Sequence, residues 1–277
     1  MYRRTSLLAF VPLLLLAACA PPPSSQPGDT APPEPAPLAA PAHLVDLTHT
    51  FGEDTLYWPT DTHGFGHEML FAGPTEKGYY YSAGRFSGAE HGGTHLDAPI
   101  HFWEGGAAAD AIPLERLVAP GVVVDVSERA VSDADTQVQV ADFEAWEAEH
   151  GRLAEGVIVL LRTGFSARWP DRAAYLGTAK LGEEAIPELH FPGLHPAAAT
   201  WLKDQRQIAA IGIDTASIDY GQSTHFESHV TLFSAGIPAF ENVAHLDRLP
   251  AKDFLVVALP MKIQGGSGGP LRIVAMW

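Results

Sequence analysis

From His91 to Phe102 the chain reads His-Gly-Gly-Thr-His-Leu-Asp-Ala-Pro-Ile-His-Phe. Three imidazoles and one carboxylate, those of His91, His95, His101 and Asp97, fall within eleven residues, spaced by two glycines and a proline. No other stretch constrains the fold as much. A solvated loop has no need of three histidines, and an apolar core rejects a charged aspartate unless it is paired. Neutral imidazole nitrogens and carboxylate oxygens are the usual ligands of zinc, manganese and similar divalent ions. The stretch therefore predicts a metal-centred site with hydrolytic chemistry. His91 and His95 would share a face in a helix, but Gly92, Gly93 and Pro99 favour a turn or loop. A catalytic site keeps three or four protein ligands and an open position. The local cluster supplies three or four, so partners from elsewhere in the chain are expected.

The N-terminus reads as a processing signal. Arg3 and Arg4 precede an apolar run from Leu7 to Leu16. That run is shorter than the roughly 20 residues a spanning helix needs. It ends in Leu16-Ala-Ala-Cys19, which resembles the lipobox of bacterial lipoproteins. Residues 1–18 are thus expected to be a lipoprotein signal peptide and Cys19 the lipidated residue. The implied location is the periplasmic side of a bacterial membrane, reached through a lipid anchor. Cys19 is the single cysteine, which rules out an intramolecular disulfide. The remainder of 19–42 is rich in Pro, Ala and Ser and reads as a disordered tether. The globular domain then spans 43–277.

Formal charge is −16, and removing a leader that holds Arg3, Arg4 and no acid takes it to −18. Such a chain is a poor partner for nucleic acid or an anionic surface, both of which reward basic patches.

Along the domain, strands are predicted over 43–48, 79–87, 121–126, 156–161, 208–213, 254–259 and 271–276. Residues 140–150 have helical spacing, with Val140, Phe143 and Trp146 together and Gly151 as the stop. Pro196 opens a second helix to about Gln205, and 225–235 could form a third. Residues 49–78 and 163–195 read as loops, the former near a pocket. Strands outnumber helices and helices fall between them, which predicts a mixed α/β domain. Glu144, Glu147 and Glu149 read as a solvated helix face.

His229 and Glu241 are the best distant ligand candidates, although composition alone does not single them out. Ser223 lacks the glycine two residues later that a nucleophile elbow needs, since His225 stands there. The glycine run at 265–269 lacks the Gly-Lys-Ser/Thr ending of a phosphate loop and reads as a tight turn. Asp214 and Asp219 are read either as ordering a loop near the site or as ordinary structural residues.

The central stretch resembles the His-x-Gly-Thr-His-x-Asp-x-Pro-x-His motif of the cyclase family of metal hydrolases, which includes bacterial kynurenine formamidase and isatin hydrolase. Every fixed position is met, by His91, Gly93, Thr94, His95, Asp97, Pro99 and His101. The segments Ile213–Asp219 and Pro260–Arg272 look like family segments too. The resemblance implies a single swivelling β/β/α domain. It also implies one or two divalent ions, zinc or manganese. His91, His95 and Asp97 would bind the first, Asp97 and Glu241 would bridge to a second, and His229 would complete it. His229 and Glu241 have the twelve-residue separation of the family's distant pair. His101 would be the general acid/base. Trp58, in Tyr-Trp-Pro-Thr-Asp, matches a pocket tryptophan of a Trp-Pro-Gly-Asp segment, with Thr60 here in the glycine position. Phe65 and Trp103 are expected as further pocket walls from position alone. The implied reaction is hydrolysis of an amide or lactam C–N bond of a small aromatic substrate, with water activated at the metal. A lactonase, a cyclase or dehydratase, and a lipid-anchored binding protein without turnover are the alternatives. Family members are usually dimers or larger, so a homodimer or larger assembly is implied as well.

Overall fold

The computed structural model describes residues 40–277. The leader, Cys19 and the tether as far as Ala39 lie outside the described residues. In chain order the elements are β1 (Leu44–Asp46), β2 (Gly66–Pro74), β3 (Tyr80–Ser87), β4 (His95–Asp97), β5 (Val118–Asp125), α1 (Ser127–Ser132), β6 (Gln137–Val138) and α2 (Val140–His150). There follow β7 (Ile158–Arg162), α3 (Arg172–Leu176), β8 (Gly193–Leu194), α4 (Pro196–Trp201), β9 (Ala210–Ile213), α5 (Glu227–Phe233), β10 (Ala239–Glu241), β11 (Phe254–Pro260) and β12 (Gly268–Met276). Short turns of 3₁₀ helix connect them, one of which spans Pro99–His101.

Strands β12, β11, β5, β7, β9, β10 and β4 pair in that order, and β4 returns to β12. The result is a closed seven-stranded ring, with β1 paired to the far end of β12. Strands β5, β7, β9 and β10 run parallel, as the intervening helices require, and the remaining pairings of the ring are antiparallel. Alternation along β7 divides the apolar residues into two cores. Ile158 and Leu160 join Leu96, Phe240, Val256 and Ile273 inside the ring. Val159 and Leu161 face outward beneath Phe143 of α2, Ala198 of α4 and Leu232 and Phe233 of α5. Both faces of the parallel strands are thus covered, which explains their continuous apolar sequence.

Leu160 is fully buried, and an added side-chain carbon at Gly212 on the neighbouring strand would sit 2.6 Å from its methyl group. Leu160→Ala is therefore expected to cost about 2–5 kcal/mol through a cavity the ring cannot close. A lowered urea midpoint with an unchanged slope would report it.

Four expectations need correction. The stretch expected to be a turn or loop contains strand β4, since His95–Asp97 pairs with both β10 and β12. Residues 49–78 are not all loop, because β2 pairs with β3 in a two-stranded ribbon. Both faces of that ribbon are open, with Met69, Leu70, Phe71, Tyr80 and Phe86 all exposed, so the usual alternation of burial is missing. The glycine run is not only a turn either. Gly268 and Gly269 already belong to β12, pairing with Asp97 and Leu96. Glu147 is not merely solvated: it receives two hydrogen bonds from Arg206, at 2.6 and 2.7 Å.

Candidate metal centre

Strand β4 sets the site. Leu96 points into the ring, so His95 and Asp97 point out of it. Antiparallel β10 lies alongside, with Glu241 opposite His95 and Ala239 opposite Asp97. Phe240 points inward, which turns Glu241 to the outer face beside them. Helix α5 covers that face with its buried side, Ser228, His229, Leu232 and Phe233. Gly93 adopts a left-handed φ of 58°, and a side chain at Gly92 would overlap the Tyr57 ring, so the tight approach to β4 requires both glycines.

The structure brings together five of the predicted ligands. Asp97 Oδ1 lies 2.7 Å from His91 Nδ1 and 3.0 Å from His95 Nε2. Its Oδ2 lies 3.2 Å from His229 Nε2. Glu241 is 3.1 Å from His229 Nε2 and 3.5 Å from His95 Nε2. Asp97, Glu241, His95 and His229 are all nearly inaccessible to solvent. Among the described residues no lysine or arginine pairs with either carboxylate. Two buried carboxylates without a lysine or arginine partner draw positive charge to the cluster, and a divalent cation set among imidazole nitrogens fits it.

Ring orientation supports the same fit. His95 Nδ1 donates to the Gly93 carbonyl at 3.0 Å, leaving the Nε2 lone pair turned to the cluster. His229 Nδ1 donates to Asp219 at 2.6 Å, again leaving Nε2 turned inward. Asp219 also accepts the backbone N–H groups of Ser228 and His229. This is the carboxylate–imidazole pairing that orients metal-binding histidines. Asp219 thus orders the site directly, whereas Asp214 holds Thr163 and Gly164 at a neighbouring loop. Asp219→Asn is expected to weaken metal retention about 10–100-fold while the chain stays folded. Competition with a chromophoric chelator measures it.

The electrostatics follow from burial and proximity. Burial alone would lower the His95 pKa, but Asp97 and Glu241 reverse the effect and hold it at about 9. His229 is raised in the same sense, against burial, by Asp219, Asp97 and Glu241. Burial would raise Asp97, yet His91 and His95 pull it well below the usual carboxylate range. Glu241 is raised, first by burial and then by the Asp97 charge. The field that favours protonated imidazoles here also favours a metal ion.

His101 ends the 3₁₀ turn and stacks on His91 with ring centres 3.8 Å apart. Removal from water pushes its pKa down to about 4, although Asp97 acts in the opposite direction. Its ring is thereby neutral near pH 7 and open to the cavity. Two sets of donor atoms fall within 4.8 Å of one another, His95/Asp97/Glu241 and His91/Asp97/His101. His101 can therefore reach either a bound ion or a substrate.

These residues floor a cavity of about 260 Å³. Its apolar walls include Trp58, Leu56, Phe102, Leu176 and Phe226. Trp58 meets Phe226 edge to face at 6.3 Å. Phe65 and Trp103 do not line it: Phe65 packs on Phe51 and Phe86, and Trp103 is exposed. Sequence reasoning missed Phe102 and Phe226, although Phe102 directly follows His101. Ser223 accepts the backbone N–H of Phe226 and sits in no triad arrangement.

The family model described as "Putative cyclase" matches residues 45–220. An isatin hydrolase of Roseibium aggregatum is 34% identical over 195 residues, covering 68% of this chain and 72% of that protein. A kynurenine formamidase of Bacillus cereus is 29% identical over 230 residues, covering 83% of this chain and 95% of that protein. Among solved structures, isatin hydrolase A from Labrenzia aggregata, bound to benzyl benzoate, superposes with a TM-score of 0.75 at 35% identity, over 84% of this chain and 93% of that one.

Proposed function

Because the chain belongs to the cyclase family, we propose that it is a metal-dependent hydrolase of amide or lactam C–N bonds in small aromatic substrates. One observation carries the reading: two buried carboxylates without a lysine or arginine partner and three imidazoles floor a cavity with aromatic walls. His91, His95, Asp97, His229 and Glu241 would hold one or two divalent ions, zinc or manganese. A bound divalent ion supplies Lewis acidity, polarising a carbonyl oxygen and easing deprotonation of water. Trp58, Phe102 and Phe226 provide flat apolar surfaces for an aromatic ring and keep bulk water from it. His101, neutral and open to the cavity, is the group that takes a proton from water and returns one to the leaving nitrogen. A donor set this enclosed would bind its ion without disturbing the fold, since α5 and the ring already fix His95, Asp97, His229 and Glu241.

A panel of N-formyl aromatic amines, isatins and lactones, run on one sample whose metal content is measured, tests the proposal. Turnover of the first two classes supports it. Turnover of lactones alone moves the activity to C–O bonds, and bound metal without turnover on any class makes the chain a binding protein.

The exposed apolar ribbon formed by β2 and β3 supports a homodimer or larger assembly. Isolated two-stranded ribbons are marginal in water, and this one carries far more apolar surface than solvent-facing strands usually show. Light scattering on the eluted protein reads the assembly. Cys19 is the proposed lipid-anchored residue, for a protein held at the periplasmic face of a bacterial membrane. Metabolic labelling with a fatty-acid analogue, lost in Cys19→Ala, tests the anchor.

A further inference from the structure

The glycine run at 265–269 and the residue before the first histidine, Glu90, have no part in the chemistry above. They meet at His91. Its Nδ1 faces Asp97, while its Nε2 lies 2.8 Å from Ser267 Oγ. Ser267 Oγ in turn donates to Glu90 Oε2 at 2.8 Å. The same carboxylate oxygen accepts the backbone N–H of Ser267 at 2.7 Å and that of Gly268 at 3.3 Å. A serine hydroxyl has one proton, and an ionised carboxylate can only accept. With that proton given to Glu90, the hydroxyl is left as an acceptor, so His91 must present an N–H at Nε2. In the neutral ring, the form that binds a metal, Nδ1 then carries the lone pair. His95 and His229 are arranged in the opposite way, with Nδ1–H turned outward and Nε2 turned in.

The turn is shaped for this contact. A side-chain carbon at Gly268 would stand 2.6 Å from His91 Cε1 and 2.5 Å from the Leu96 carbonyl. One at Gly266 would stand 3.1 Å from Glu90 Oε1. The glycines let β12 pass close enough for Ser267 to reach an imidazole 176 residues earlier in the chain.

We propose that Glu90 and Ser267 form a positioning relay that locks His91 as the Nε2–H tautomer and so makes Nδ1 its metal-binding atom, with the glycine turn seating the relay. The consequence for metal rests on the reading of His91 as a ligand; the tautomer lock does not.

The test uses the full chain, ¹⁵N-labelled at histidine, together with zinc alone. In metal-free wild type, long-range ¹H–¹⁵N spectra are expected to show a proton on His91 Nε2, and in the zinc-loaded protein a proton on Nε2 alone. Ser267→Ala is expected to give a mixture of tautomers. Ser267→Ala and Glu90→Gln are expected to lose zinc affinity about 10–100-fold in chelator competition, with thermal midpoints near that of wild type. Ser267→Thr, which restores the hydroxyl, is expected to recover both readouts. A wild-type His91 with no proton on Nε2, or a Ser267→Ala protein that keeps both tautomer and affinity, overturns the relay. His91→Ala distinguishes the two levels: unchanged zinc affinity in that variant removes His91 from the ligand set, while the spectra still decide the lock.

Discussion

Asp97→Asn is expected to leave a folded chain that keeps neither metal nor turnover. Asp97 faces His91, His95 and His229 at once, with one oxygen toward the first two and the other toward the third. The amide removes a negative charge from a buried cluster whose attraction for cations depends on it. It also turns an N–H pair toward lone pairs that should face a metal. Loss of even an outer partner costs about 10–100-fold in metal affinity, and loss of a shared ligand should cost more. Several kcal/mol of transition-state stabilisation go with the ion, which is about a thousandfold or more in rate. Elemental analysis after dialysis, beside a circular dichroism melt, checks the prediction. A folded Asp97→Asn protein with wild-type metal content would remove Asp97 from the centre of the site.

His101→Ala should behave differently. Turnover is expected to fall about 10²–10⁴-fold, the range for loss of a general acid/base, with metal content unchanged. His101 stands at the open side of the cluster, stacked on His91, and among the described residues no hydrogen bond to a carboxylate holds its ring. Partial recovery with added imidazole would strengthen the assignment. Loss of metal along with activity would instead make His101 a ligand, as its proximity to His91 and Asp97 permits. Near-native turnover would give the proton transfer to another group.

Much of this is readable in the sequence. Alternating and continuous apolar runs identify β1, β3, β5, β7, β9, β11 and β12, and Gly151 marks the end of α2, because local patterns report local structure; the three-residue strands β4 and β10 are too short to show a pattern. The cluster from His91 to His101 was readable because so many ionisable groups in so few residues have few other uses. His229 and Glu241 were candidates that only the family motif raised above others. The β2–β3 ribbon escaped notice because its apolar residues face solvent, so periodicity had no buried side to report. Ser267 and Glu90 were invisible for a different reason. A serine in a glycine turn and a glutamate before a histidine look ordinary, and closure of the ring is what brings them together. Asp219 stands out in the sequence without a definite role, since its partner is an imidazole on the following helix.

The three-residue strand His95-Leu96-Asp97 has a further consequence. Its odd positions hold the charged cluster and its even position fills the ring, so it works as a reading frame of period two. Inserting or deleting one residue between Gly93 and Ala98 would exchange the two sides. Leucine would then face the ion, and imidazole and carboxylate would enter a core that has no partner for them. Substitutions along this strand can be graded, but a shift in length is all or nothing. Chain-length variation within such a fold should therefore collect in the exposed ribbon and the loops and spare this strand entirely.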